Sequence, residues 1–72
     1  MITLTKNEQF LTFCIECYRQ KFNLDGHSVI ELFEKYDVFD FLEQSYEVLH
    51  TQGKSYILDE IELFINSKKT SE

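Results

Sequence analysis

The chain has 72 residues, with thirteen Asp or Glu against seven Lys or Arg, no Pro, two Gly and two Cys. A chain this short makes one domain, which excludes a multi-domain enzyme, a stacked-repeat solenoid and a βαβ nucleotide-binding fold. With 43% hydrophobic and 15% aromatic residues it is not a disordered acidic tail either.

Apolar residues recur at helical spacing throughout, with no sustained alternation of period two. The pattern predicts an all-α fold: one compact bundle of about four short helices spanning 1–72, ordered over about 5–68. The first helix should open at Thr5. Thr5-Lys6-Asn7-Glu8 fits a capping box, in which the threonine oxygen accepts from the Glu8 amide and the glutamate reaches back. Phe10, Cys14, Cys17 and Tyr18 form one stripe, and Leu11, Ile15, Tyr18 and Phe22 a second. Phe13 widens the band, as expected of a central helix that meets several others. Arg19 and Lys21 fall in the last turns, where cations suit the helix dipole.

The second helix should follow Asp25, which can cap His27 or Ser28, with Leu24 and Val29 placed as a hydrophobic staple. Its stripe is Val29, Ile30, Phe33 and Tyr36. It should stop near Asp37, with Val38 packing back. In the third helix, Phe39, Leu42, Tyr46 and Leu49 keep helical spacing, as do Val38, Phe41, Ser45 and Val48. A break near Ser45 fits the pattern as well. The end falls near His50, where Gly53 of Thr51-Gln52-Gly53 can terminate a helix. The fourth helix should cover about 54–68, with Ile57, Ile61, Phe64 and Ile65 inward and Asp59, Glu60 and Glu62 in water. Lys68 and Lys69 close on the favourable end, and 70–72 should fray.

Size and charge narrow the function. A core this small yields about 3–5 kcal/mol net. Seven Phe and four Tyr are more apolar surface than a small bundle covers, which points to a partner surface or a homo-oligomer. The net charge is −6, and residues 31–62 alone carry −7. An acidic middle repels phosphate backbones, so direct nucleic-acid binding is disfavoured and a basic protein partner favoured. No secretory signal and no span of about 20 apolar residues is present, so no membrane role is expected. Two Cys are too few for a disulfide framework, and the expectation is a reduced, cytoplasmic protein.

Cys14-Ile15-Glu16-Cys17 has the spacing of a metal or redox pair, and His27 and His50 could complete four zinc ligands. The pair lies mid-helix on the apolar stripe, however, away from a tight turn or a helix N-terminus, so it reads chiefly as core filler. His27 reads as a solvated surface residue. His50 lies in the polar stretch Leu49-His50-Thr51-Gln52-Gly53-Lys54. There Thr51 or Gln52 can cap the next helix and His50 can satisfy the end of the previous one. Otherwise His50, Thr51, Gln52 and Lys54 make an exposed corner that offers hydrogen bonds. No Gly-rich phosphate loop, nucleophile elbow or H-E-x-x-H is found. Glu31, Glu34 and Asp37 share a face that reads as solvated.

Phe13-Cys14-Ile15-Glu16 with Tyr18, Leu32-Phe33 with Tyr36, and the run 46–54 with Tyr56-Ile57 and Ile61 are similar to a family of small bacterial proteins, domain-of-unknown-function family 3791. Leu49-His50-Thr51-Gln52-Gly53 is the specific part, and Cys17 and Asp37 depart from the pattern. The resemblance implies a small accessory or antitoxin-like protein, encoded beside and restraining a partner that looks like an ADP-ribosyltransferase. It brings no catalytic residues.

The expected function is a non-catalytic protein-binding module without cofactor. Its contact corner would be His50, Gln52, Lys54 and Tyr56, with Tyr46 beside it; aromatic anchors commonly dominate such contacts. Two other readings are an acidic decoy that imitates a phosphate backbone and a metal-linked regulator through Cys14 and Cys17.

Overall fold

The computed structural model describes residues 4–70. Five helices follow one another: α1 (Lys6–Phe22), α2 (Gly26–Lys35), α3 (Val38–Gln44), α4 (Tyr46–Leu49) and α5 (Lys54–Thr70), and no strand occurs among the described residues. The all-α bundle expected from the spacing is the fold found.

Local chemistry sets the helix ends. At α1 the capping box forms in both directions: the Glu8 amide donates to Thr5 Oγ1 at 3.1 Å, and the Thr5 amide to Glu8 Oε1 at 3.0 Å. Asn23 ends α1 with φ 53°, and the Leu24 amide returns to the Arg19 carbonyl at 3.0 Å. Asp25 starts α2 by accepting the Ser28 amide at 2.6 Å. Asp37, with φ 58°, separates α2 from α3. Both left-handed positions are held by Asn or Asp, the side chains that tolerate them best after glycine.

Gly53 behaves differently from the expectation. No glycine has a positive φ, and the Gly53 carbonyl instead accepts the Ile57 amide at 3.1 Å as the entry to α5. The Thr51 hydroxyl does not cap that helix. It turns back to the Val48 carbonyl at 3.1 Å.

The expected third helix is divided. Ser45 sits between α3 and α4 with φ −98° and ψ 5°, a bridge-region conformation that redirects the chain while its amide still reaches the Phe41 carbonyl at 2.9 Å. At the other end α5 runs on to Thr70, two residues past its expected limit. The hydroxyls of Ser67 and Thr70 bond back to the carbonyls of Phe64 and Ser67 there. Residues 71 and 72 of the expected frayed tail lie outside the described residues.

The core lies where α1 meets α2, α3 and α5. Cys14, Val29, Phe33, Val38, Leu42 and Ile61 have no exposed surface. Phe33 is the hub, with edge-on contacts to Tyr18 at 5.2 Å and Phe39 at 5.6 Å. Most stripe residues are inside, but Phe13, Phe22, Ile30 and Val48 are exposed. These four flank the apolar bands, which are wider than the short neighbouring helices cover. Leu58, absent from the expected stripe, is buried. Outside the core, Lys21 of α1 reaches Glu62 of α5 at 3.0 Å and Asp59 at 3.8 Å, and Lys68 of α5 lies 3.9 Å from Asp37. No helix among the described residues is long and apolar enough to cross a membrane.

Candidate functional site

Two regions carry chemistry beyond packing. The first is the corner after α4. Its base is an aromatic column that leads outward from the core. Buried Phe10 meets the half-buried Tyr46 ring edge-on at 5.4 Å, and the exposed His50 ring lies flat on Tyr46 at 4.3 Å with 2° between the planes. The His50 ring is pinned a second time, because its Nδ1 is hydrogen-bonded to the Tyr46 carbonyl. A carbonyl only accepts, so Nδ1 carries the proton and a neutral ring keeps Nε2 as its acceptor. The His50 amide also donates to the Tyr46 carbonyl, at 2.9 Å, so His50 does close the end of α4 as one sequence reading expected.

The other expected contact residues are less tightly joined. Gln52, Lys54 and Tyr56 are all exposed. Lys54 and Tyr56 stand two apart in α5, hence about 200° apart around its axis. The ring stack therefore unites Tyr46 and His50, while Tyr56 projects with Leu63, seven residues on, from the outer face of α5.

The second region was not singled out in the sequence. Two adjoining hollows share Asp37 and Asp40. One, of about 200 Å³, is lined by Phe33, Glu34, Asp37, Phe39 and Asp40. The other, of about 330 Å³, adds Phe41, Gln44, Phe64 and Lys68. Phe41 and Phe64 stack at 4.4 Å with 12° between the rings. A signal for this groove did exist. Phe39 and Phe41 are two apart in α3, so they point to opposite sides of the helix, and both stay half-buried.

Cys14 and Cys17 both lie in the core as free thiols. Burial, then the neighbouring Cys17, pushes the Cys14 thiol up to about 12, which leaves it protonated and unreactive at neutral pH. Among the described residues no group of three or more His, Cys, Asp or Glu is placed to hold a metal ion. His27 stands on the surface, with its Nε2 2.8 Å from Glu31.

Comparison with known families gives a match over most of the chain. The family model described as "Protein of unknown function (DUF3791)" covers residues 9–68. The chain belongs to this family. The match takes in all five helices except the ends of α1 and α5, together with both candidate regions. No curated protein and no solved structure matches the DUF3791 chain.

Proposed function

We propose that this DUF3791 protein is a non-catalytic recognition module that acts in the cytoplasm by binding another protein. Following the family resemblance, the partner is an ADP-ribosyltransferase-like protein that the module restrains or assists in an antitoxin-like way. The observation that carries the reading is the set of large apolar side chains outside the core cluster. Leu63 and Val48 are 63% and 61% exposed, and Tyr56 is 48% exposed. Burying such side chains against a partner is favourable at about 25 cal/mol per Å². A net charge of −6 favours a basic partner and speeds its encounter.

The test is co-expression with an ADP-ribosyltransferase-like protein and co-purification of the pair. Loss of the complex in Tyr56→Ala or His50→Ala, with the helical spectrum unchanged, supports the corner as the contact. Retention in both variants removes the corner. Failure of the wild-type chain to co-purify removes this partner. Displacement of DNA from a nucleic-acid-binding protein, abolished by neutralising Glu31, Glu34 and Asp40, would favour the decoy reading instead.

A further inference from the structure

We propose that the aromatic groove crossed by α3 is a docking site for a basic segment of the partner protein, with one arginine side chain seated in its smaller hollow. The inference rests on the recognition reading above and adds the place and the chemistry of contact. The half-buried Phe39 ring supplies the apolar wall, and the fully buried Phe33 ring backs it edge-on at 5.6 Å. Glu34, Asp37 and Asp40 supply the rim, and all three are exposed. A guanidinium suits both parts, since it stacks on aromatic faces and offers a planar fork of donors to carboxylates.

Size and charge narrow the occupant further. A hollow of about 200 Å³ lies below the roughly 300–1,000 Å³ of small-molecule sites and fits one long side chain. No lysine lines it. Lys35 and Lys69 lie over the Tyr36 ring, while Lys68 lies over Phe64 and beside Asp37 in the larger hollow. A second copy of this chain is the poorer occupant, because each copy carries −6 and would bring acid to acid. The larger hollow continues the groove with the Phe41–Phe64 stack, Gln44 and Lys68, so an adjoining residue of the same segment has a wall to lie on.

The probe is N-acetyl-arginine methylamide, titrated to millimolar concentrations into the isotope-labelled full chain and followed by amide NMR. N-acetyl-citrulline methylamide, nearly the same shape without the charge, is the control. The arginine compound should give saturable shifts centred on Phe33, Glu34, Asp37, Phe39 and Asp40, and citrulline should give none. The double variant Asp37→Asn with Asp40→Asn should bind at least fivefold more weakly. Asn is at home in the left-handed conformation of Asp37, so this variant keeps the turn. Shifts that do not saturate, that spread over the acidic surface, that appear equally with citrulline, or that persist in the double variant overturn the groove. A chain that ignores the arginine compound yet still co-purifies with its partner loses only this inference. One that binds the compound but captures no partner loses only the partner reading.

Discussion

Single side chains decide where these helices begin. The Glu8 carboxyl is held below its ordinary range by the hydrogen bonds of Thr5, and the Asp25 carboxyl by those of Ser28. Replacing Asp25 by Ala removes the cap on the Ser28 amide and should lower the urea midpoint at pH 7. A carboxyl lowered in the folded state stabilises above its unfolded value, 3.8 for Asp25, and loses that contribution as pH falls through the lowered native value. The gap between wild type and Asp25→Ala should therefore shrink below about pH 3.8. Cys14 works at the other end of the scale. Its thiol is raised from 9.0 to about 12, so the unfolded chain loses this proton first and stability falls as pH climbs from 9 to about 12. Alkaline unfolding in this window, shifted to higher pH in Cys14→Ala relative to its own neutral stability, is the expected result. Both caps and the burial of the cysteines were legible in the sequence, because a cap needs a particular side chain at a particular offset and a stripe needs only spacing.

Helix junctions were harder to read, and the reason is conformational. The sequence offered Gly53 as the natural stop, yet the chain turns left-handed at Asn23 and Asp37. Glycine permits a positive φ without requiring it, while Asn and Asp accept one when the flanking helices demand it. A β-branched residue does not. Asp37→Val should destabilise by about 1–2 kcal/mol, measured by thermal or urea melting, whereas Asp37→Asn should stay within about 0.5 kcal/mol of wild type. The break at Ser45 has the same character. Leu42, Tyr46 and Leu49 keep helical spacing across it, so periodicity alone favoured one third helix and admitted a break at Ser45 without requiring it. What the periodicity cannot express is that α3 packs on α1, α2 and α5, while α4 is carried onto Phe10 through Tyr46.

At the scale of the whole molecule, the contrast between Phe33 and Leu63 separates folding from function. Phe33 has no exposed surface and joins the Tyr18 and Phe39 rings, so Phe33→Ala should cost about 3–5 kcal/mol. That equals the whole net stability of about 3–5 kcal/mol expected for a domain of this size, and the variant should be largely unfolded at 25 °C by circular dichroism. The candidate groove is built partly on this same ring, which is why the sequence hid it. A residue that reads as core on its stripe can still lie beneath a surface hollow and support its wall, and only the placement of α3 against α2 and α5 reveals it. The corner at His50 was legible for the opposite reason, since a polar run between apolar stripes stands out without any tertiary knowledge. Leu63 belongs to neither class. It lies outside the core cluster and is 63% exposed on the face of α5 that also carries Tyr56. Leu63→Gln should therefore leave the unfolding free energy within about 0.5 kcal/mol of wild type in a urea or thermal melt, as surface substitutions do. If that outer face meets the partner, the same change should weaken the co-purified complex by at least about fivefold, near 1 kcal/mol. A large loss of stability would instead place Leu63 among the side chains that hold α5 in the bundle, and unchanged binding would leave recognition to the groove and the His50 corner.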